Sequence, residues 1–342
     1  PSSEIVFFDI PLIWMRLTRP LRRLKITAND FNLIKNLFEE LQGKYKFQYD
    51  LHEFKKLILD SIKSYNDYVR FYSNFLKKIK PKIIIELVSY SRRNMALNFV
   101  AKNHNIPTVE LQHGNMGKYH IAYNILIKDI ATFPDYIFTF SDYWKECTRI
   151  PLPSKNIISV GLPYLEKKIN YYKKSQSKNN KITIIFFSQV SVGHQLSKEA
   201  SKISSMLDVF KYEIIYKLHP GEYFNWQLEY PWLLNTNIKV IDNNSKDIHY
   251  YLSKSDIQVG VASTAIFEGL AYKLKTIIYK LPGYNFMSDL INSKIAYLVE
   301  NCDQFISLTE TNFLRNTLDV EKYWKFNSKN NILAEIEKIL SQ

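Results

Sequence analysis

Short apolar segments alternate with helical segments from residue 81 to residue 299, and this alternation restricts the fold more than any other feature. The segments "PKIIIEL", "IPTVELQ", "PDYIFTF" and "NIISV" are typical of buried strands, while "SRRNMALNFVAKNHN" and "SDYWKECTRI" between them are typical of helices. After residue 181 the same order returns, with strands predicted at "ITIIFFS", "YEIIYKL", "NIKVI", "DIQVG", "TIIYKL" and "IAYLV". Strands that alternate with helices over short loops predict parallel sheets with crossover helices.

A polar segment, "EKKINYYKKSQSKNNK", separates the two series of strands and offers few side chains for burial. A chain of 342 residues also exceeds what one hydrophobic core usually covers. We therefore predict an N-terminal Rossmann-like domain at 1–166 that is mainly helical up to residue 80, a linker at 167–181, a C-terminal Rossmann-like domain at 182–325 and a final helix at 326–342.

The net charge of +13 favours an anionic partner. The sequence has no zinc-finger spacing, no RNP-like aromatic motif and no long Arg-rich tract, so we predict no nucleic-acid partner. The charge then indicates a phosphate-bearing ligand or an acidic membrane face. The segment "RLTRPLRRLK", with Arg16, Arg19, Arg22 and Arg23, is a candidate for contact with the anionic inner membrane surface. We expect a cytoplasmic protein with peripheral membrane contact.

Two polar motifs follow strands of the second half, where ligands bind in open parallel sheets. In "KLHPGE", His219 ends a strand and Pro220 removes the next amide donor. In "VASTAIFEGLAY", Ser263 and Thr264 begin a helix and Glu268 follows one turn later. Hydroxyls and free amides at a helix N-terminus bind anions, although N-capping alone also explains them. Glu268 is placed to accept hydrogen bonds from a ribose. Ser188 and Gln189 follow the first strand of this half and complete the candidate phosphate loop.

The first half has its own candidates in "VELQHGNMGKYH" and "PKIIIEL". His113 is a candidate general base or phosphate ligand. Glu86 ends the neighbouring strand, where burial would raise its pKa and let it accept a proton; a salt bridge to Arg92 or Arg93 is the alternative. The candidates on the acceptor side are Gln112, Gly114 and His120.

Several classes of catalytic site are excluded by the motifs that the sequence lacks. No HExxH or CxxC motif is present, the two cysteines and seven histidines are scattered, and neither a GxSxG elbow nor a Walker loop occurs. We therefore predict no metal ion and no cofactor.

The motifs "ELQHG", "KLHPGE" and "STAIFEGLAYK" in this order resemble those of GT-B glycosyltransferases of bacterial capsule, lipopolysaccharide and teichoic-acid assembly. The His-Pro and Ser/Thr motifs resemble those of sialyltransferases and Kdo transferases, which use CMP-sugars. "QHG" is similar to the His-Gly element of polyol-phosphate transferases, which use CDP-polyols.

This resemblance implies an α/β GT-B fold with two Rossmann-like domains whose parallel sheets face a central cleft. It implies a metal-independent, inverting transfer from a nucleotide sugar, with a CMP-linked donor favoured over a UDP-linked one, to a cell-surface glycan or lipid-linked acceptor. His219, Ser263 and Thr264 would hold the donor phosphates, Glu268 the ribose, and Glu86 or His113 would be the base.

Two other functions compete with this interpretation. A nucleotide-sugar 2-epimerase has the same pair of Rossmann halves, with more acidic residues in its site than the motifs above provide. A non-catalytic polyanion-binding protein would owe its pI to surface lysines and would bind with a steep salt dependence.

Overall fold

The computed structural model describes residues 27–46, 49–173, 180–310 and 319–342. Their contacts divide the chain into two compact units. Unit 1 comprises the described residues of Pro1–Leu111 and Asp129–Tyr136, and unit 2 those of Gln112–Lys128 and Ile137–Gln342. Residues 137–166, assigned from the sequence to the N-terminal domain, therefore share a unit with the C-terminal half.

Unit 1 consists of three helices and two short strands. In chain order these are α1 (Ala28–Tyr45), α2 (Leu51–Ile79), β1 (Ile84–Glu86), α3 (Arg92–Asn103) and β2 (Thr108–Leu111). Thr27 with Asp30 and Asp50 with Glu53 form capping boxes that start α1 and α2. Tyr72 and Leu76 of α2 pack on Ala96 and Val100 of α3. The apolar segment "IVFFDI" and Arg16, Arg19, Arg22 and Arg23 lie outside the described residues.

Two further strands, β3 (Tyr136–Thr139) and β4 (Ile157–Ser159), pair in parallel, with α4 (Asp142–Glu146) between them. The first sheet has four strands in the order β1-β2-β3-β4. Thr139 is buried at the end of β3, and its carbonyl oxygen accepts hydrogen bonds from the N–H groups of Val160 and Gly161 as the chain leaves the sheet.

The second sheet lies wholly in unit 2 and has six parallel strands in the order β10-β9-β8-β5-β6-β7. Its strands are β5 (Ile182–Phe187), β6 (Tyr212–Lys217), β7 (Lys239–Ile241), β8 (Ile257–Gly260), β9 (Lys275–Tyr279) and β10 (Ala296–Val299). The helices that follow these strands are α6 (Gly193–Met206), α7 (Trp226–Glu229), α8 (Ile248–Lys254), α9 (Thr264–Ala271), α10 (Ser288–Asn292) and α11 (Cys302–Glu310). The strands of this sheet are nearly continuous apolar segments in the sequence, because helices cover both faces of a parallel sheet.

The segment predicted as a linker at 167–181 overlaps a helix in its first residues. Helix α5 runs from Pro163 to Lys173, and Ile169 and Tyr172 are buried. Leu165, Ile169 and Tyr172 recur at three- and four-residue spacing, which places them on one helix face. The final helix, α12, runs from Ser328 to Leu340, and the carboxylate of Glu166 accepts hydrogen bonds from the N–H and hydroxyl of Ser328.

An aromatic cluster joins the end of the chain to α4 and α9. The ring of Phe140 lies 4.8 Å from that of Trp324, and the ring of Trp144 lies 4.7 Å from that of Phe267. The indole N–H of Trp144 donates to the carbonyl of Tyr323, and that of Trp324 donates to the carbonyl of Phe267. These contacts satisfy the indoles while both rings stay buried.

None of the helices in the described ranges combines the length and the apolar character that crossing a bilayer requires.

Candidate functional site

The strand order of the second sheet identifies the edge where a ligand is expected. From β5 the chain moves to β6 and β7 on one side and then to β8 on the other, so β5 and β8 are neighbours. In open parallel sheets the crevice for ligands lies beyond the carboxyl ends of the strands at such a reversal. The loops after β5 and β8 meet there, and the N–H of Ala262 donates to Oε1 of Gln189 across 2.9 Å.

Helix α9 begins at this edge. Ser263 is its N-cap, and the Ser263 hydroxyl accepts a hydrogen bond from the N–H of Ala265 at 3.3 Å. Both interpretations of Ser263 therefore stand, because a capping hydroxyl also lies beside the free amides that bind anions. The side chains of Ser263 and Thr264 are half-buried.

Helix α9 packs tightly on the sheet because residue 269 is glycine. A Cβ at Gly269 would lie 1.9 Å from Oε1 of Gln258, which is fully buried in β8. The Gln258 amide donates to the carbonyl of Ile266 and to the hydroxyl of Thr276, both at 2.8 Å. These contacts fix the helix that carries Thr264 and Glu268 against β8 and β9.

The "QHGN" loop after β2 is held against the start of α9. The N–H of Asn115 donates to Oγ1 of Thr264 at 3.2 Å, and a Cβ at Gly114 would lie only 3.5 Å from the same oxygen. Gln112 is buried; its amide donates to the carbonyl of Gly114, and its Oε1 accepts from the N–H of Phe140. All of these residues belong to unit 2, so the structure brings the predicted motif and Thr264 together.

Two histidines lie on this loop. His113 is exposed and His120 is half-buried. Burial and the nearby His113 lower the pKa of His120. Asn124 braces the loop by donating to the carbonyls of Gly117 and His120, at 2.7 Å and 2.9 Å. The loop therefore presents the exposed imidazole of His113 from a hydrogen-bonded frame.

The turn after β6 orients His219 toward solvent. Pro220 begins a 3-10 turn that ends at Glu222, and the N–H of Gly221 donates to Nδ1 of His219 at 3.1 Å. A neutral imidazole whose Nδ1 accepts a hydrogen bond carries its proton on Nε2. The exposed His219 therefore offers an Nε2–H donor, which suits a phosphate oxygen.

Glu222 is the centre of this turn, although sequence reasoning assigned it no role. Its buried carboxylate accepts from the hydroxyls of Ser188 and Tyr230, at 2.8 Å and 2.7 Å, and from the N–H of His219 at 2.7 Å. The signal was available, since a glutamate three residues after His219 completes a capping box. The hydroxyl of Ser188, a predicted phosphate ligand, donates to Glu222 and accepts from Tyr216, so its hydrogen bonds join β5 and β6 to the turn.

Glu268 lies one turn into α9 and is largely buried. Burial raises the pKa of its carboxyl to about 7. Its Oε2 lies 3.5 Å from Nε2 of His249 on α8, a residue that sequence reasoning did not single out. A carboxyl that titrates near neutrality in a candidate ligand site is a candidate for function.

Unit 1 contains a separate pair of buried carboxylates. Glu86 and Glu110 are partners in the parallel register of β1 and β2, and both are buried. Burial is the main cause that raises the pKa of Glu86, to about 8. The amide of Asn98, which donates to Oε1 at 2.8 Å, lowers this pKa, and the charge of Glu110 raises it. No hydrogen bond among the described residues reaches Oε2 of Glu86. No salt bridge of Glu86 to Arg92 or Arg93 forms among the described contacts, and the role of Glu86 as a base stays a prediction.

In the part of the chain that the structure describes, no group of three or more His, Cys, Asp or Glu side chains has the arrangement of a metal site.

Comparison with models of protein families found no match, and comparison with curated proteins found none either. Solved structures do match. The UDP-GlcNAc 2-epimerase of Methanocaldococcus jannaschii, in complex with UDP-GlcNAc and UDP, aligns over 81% of each chain with 15% identity and a TM-score of 0.57. MurG of Acinetobacter baumannii aligns over 82% of this chain and 80% of its own, with 13% identity and a TM-score of 0.54. The wall teichoic acid polymerase TagF aligns over 86% of this chain and 99% of the TagF chain, with 12% identity and a TM-score of 0.52.

At these identities the comparisons establish the fold. The chain has the α/β GT-B architecture with two parallel sheets, which confirms the predicted fold class. The three neighbours named here are an epimerase, MurG and a teichoic acid polymerase, so the narrower likeness to sialyl and Kdo transferases stays a prediction.

Proposed function

We propose that this protein is a metal-independent glycosyltransferase that moves a sugar from a nucleotide-activated donor to a cell-surface glycan or a lipid-linked acceptor. One observation carries the proposal. At the reversal of the second sheet, the hydrogen bond between Asn115 and Thr264 joins the "QHGN" loop to the N-terminus of α9, the helix that also carries Glu268.

The donor phosphates would bind at the start of α9. The free amides of that helix, with the hydroxyls of Ser263 and Thr264, stabilise the negative charge that grows on the leaving phosphate. His219 adds its Nε2–H from the turn after β6, and Glu268 accepts hydrogen bonds from the ribose. Gln189 holds the loops after β5 and β8 together through Ala262. None of these contributions requires a metal ion.

The transfer itself is an inverting displacement. The acceptor hydroxyl oxygen forms a bond to the anomeric carbon while the bond from that carbon to the donor phosphate oxygen breaks. A base removes the hydroxyl proton, and the nucleotide leaves with the bonding electrons. Glu86 and His113 are the two candidates: burial makes the carboxylate of Glu86 more basic, and His113 is exposed on the "QHGN" loop. Loss of transfer with retained nucleotide binding in Glu86→Gln or in His113→Ala identifies which residue is the base.

The donor and the site of action are also part of the proposal. A CMP-linked sugar is favoured over a UDP-linked one by the motifs of the sequence.

We place the protein in the cytoplasm at the inner membrane face, with no nucleic-acid partner. Replacement of Arg16, Arg19, Arg22 and Arg23 by serine should weaken binding to anionic liposomes, and unchanged binding would overturn the membrane contact.

A nucleotide-sugar 2-epimerase is the second candidate, because an epimerase aligns over 81% of this chain. The two activities differ in their need for an acceptor. Incubation with UDP-GlcNAc alone, followed by NMR of the sugar, yields the C2 epimer only from an epimerase.

A thermal-shift panel of CMP, CDP, UDP, GDP and heparin tests the proposed function on the wild type, on His219→Ala and on His194→Ala. His194 is another exposed histidine of unit 2 and serves as the matched control. We expect one nucleotide to raise Tm in the wild type and in His194→Ala, and to do so far less in His219→Ala. Stabilisation by heparin alone, indifferent to both substitutions, would overturn the transferase and leave a polyanion-binding protein.

A further inference from the structure

His249 is a fully buried histidine whose side chain faces Glu268, the carboxylate proposed to bind the ribose. It lies on α8, only 1% of it is exposed, and its Nε2 is 3.5 Å from Oε2 of Glu268 on α9. Among the described residues no hydrogen bond reaches its Nδ1. Among the described residues, the carboxylate of Glu268 is the charged group that faces Nε2 of this ring.

The surroundings of His249 keep the ring neutral. The rings of Tyr164 and Tyr272 lie 5.3 Å and 5.9 Å from it. Burial is the main cause that lowers the pKa of His249 to about 4. Of the charged groups nearby, Asp247 raises this pKa and Lys168 lowers it. A neutral imidazole has one N–H, and a proton on Nε2 provides a donor for the carboxylate, whereas a proton on Nδ1 would set two lone pairs against each other.

The position of α8 is itself fixed by α5. Asp247 caps α8 by accepting from the N–H of Tyr250 at 3.0 Å, and it also accepts from the hydroxyl of Tyr172 at 3.1 Å. Lys168 forms an ion pair with the same carboxylate. Two residues of α5 thus hold the N-terminus of the helix from which His249 reaches Glu268.

We propose that His249 is a positioning residue, which donates its Nε2–H to Glu268 and holds that carboxylate ready to accept the hydroxyls of a nucleotide's ribose. The inference rests on the proposed function for the identity of the ligand, but the contact between the two side chains does not. A carboxyl that is largely buried loses its charge readily, and a donor aimed at one oxygen favours the charged form that a ribose needs.

The first test needs no ligand. The ¹³C shift of the Glu268 carboxyl is followed by NMR through a pH titration of the wild type, of His249→Phe and of His249→Gln. Phenylalanine keeps a flat ring and removes the donor, while the glutamine amide can restore a donor near the place of Nε2. We expect the Glu268 titration midpoint to rise in His249→Phe and to return toward the wild-type value in His249→Gln. Equal midpoints in all three proteins would overturn the inference.

The second test measures binding of CMP and UDP by calorimetry at pH 7 and pH 8. The proposed hydrogen bond from His249 is made to the charged carboxylate of Glu268. We therefore expect His249→Phe to lower the affinity for the nucleotide about tenfold or more at pH 7, and by a smaller factor at pH 8. His249→Gln should bind nearly as the wild type does. A wild type that binds neither nucleotide overturns the proposed function, whereas binding that is equally strong in His249→Phe overturns the role of His249 alone.

A control variant separates this role from general loosening of the core. Tyr272→Phe removes a buried hydroxyl from a ring that lies 5.9 Å from the imidazole, and that hydroxyl has no hydrogen-bond partner in the described part of the chain. We expect it to leave the Glu268 midpoint and nucleotide binding unchanged. If Tyr272→Phe matched His249→Phe in both measurements, packing and not the donor would be responsible, and the inference would be wrong.

Discussion

Asn115 and Thr264 are 149 residues apart in the sequence, and the N–H of Asn115 donates a hydrogen bond to the hydroxyl of Thr264 across 3.2 Å. This bond ties a loop that follows a strand of the first sheet to a helix of the second. A Cβ at Gly114 would be in van der Waals contact with the same oxygen. A ligand held by α9 would therefore lie beside the "QHGN" motif.

Removal of the Thr264 hydroxyl should loosen this junction. Thr264→Val keeps the size and shape of the side chain but leaves the N–H of Asn115 without its acceptor. We expect a loss of about 1 kcal/mol in the free energy of unfolding, measured in urea, together with weaker nucleotide binding. Thr264→Ser keeps the hydroxyl and should behave like the wild type; a serine variant as impaired as the valine variant would contradict this explanation.

Removal of the Glu222 carboxylate should disrupt the turn that carries His219. Glu222→Ala leaves the N–H of His219 and the hydroxyls of Ser188 and Tyr230 without their acceptor. Urea unfolding should show a loss of about 3 kcal/mol, because three donors lose their partner at once. Glu229→Ala, at an exposed glutamate of the neighbouring helix, should change stability by less than about 0.5 kcal/mol.

Gly193 should tolerate no side chain, for a reason that Gly43 does not share. A Cβ at Gly193 would lie 2.2 Å from Oε1 of Glu222 and 2.5 Å from the hydroxyl of Tyr230, whereas none of the described atoms lies within 4 Å of a Cβ at Gly43. We expect Gly193→Ala to lower Tm and to destabilise the fold as Glu222→Ala does. Gly43→Ala, inside the exposed face of α1, should stabilise the protein by about 0.5–1 kcal/mol. Equal effects of the two alanines would contradict the steric argument.

The raised pKa of Glu86 makes stability depend on pH in a definite direction. Its pKa is about 8 in the fold and 4.5 as the ordinary value, so between these pH values the folded state retains a proton that the unfolded chain has lost. Stability from this group is therefore present below pH 4.5 and falls as pH rises toward 8.

Glu86→Gln removes that ionisation and should be more stable than the wild type at pH 8 by about 1 kcal/mol or more, with little difference at pH 4.5. Thermal unfolding across this pH range measures the effect. Glu40→Gln, at an exposed glutamate of α1, is the matched control and should show no such trend. A stability advantage of Glu86→Gln that does not grow with pH would contradict the burial of a neutral carboxyl.

Activity should survive removal of divalent metals. The proposed stabilisation of the leaving phosphate comes from helix amides, two hydroxyls and His219, so EDTA should leave the rate of transfer unchanged. A rate that falls with EDTA and returns with Mg²⁺ or Mn²⁺ would show that a metal shares this task.

The strands could be predicted because parallel sheets covered on both faces leave apolar runs, such as "ITIIFF" in β5, that stand out between polar loops. His219 and Ser263 come shortly after β6 and β8, and Glu268 lies one turn into the helix that Ser263 caps, so the strands predicted by these runs located all three residues in the sequence. The junction of Asn115 with Thr264 could not be predicted, because no local pattern records which loop meets which helix.

Buried polar residues were the other part that sequence reasoning missed. Glu222, His249 and Asn98 are of polar residue types that usually lie on the surface, so the sequence does not show that they are buried. Their roles depend on partners from distant elements. The segment "EKKINYYKKSQSKNNK" predicted a linker because its six lysines and three asparagines outnumber its apolar residues, although its first part belongs to helix α5. The buried face of α5 is a single narrow stripe of apolar side chains, formed by Leu165, Ile169 and Tyr172.

The aromatic cluster also sets an order for folding during synthesis. Trp144 and Phe267 receive their packing partners Tyr323 and Trp324 from the last stretch of the chain. The ribosome releases that stretch only after both sheets have been translated. Until then the aromatic side chains of α4 and α9 lack these two partners. A chain shortened before residue 320 would lack Tyr323 and Trp324, and Trp144 and Phe267 would then be left without these partners.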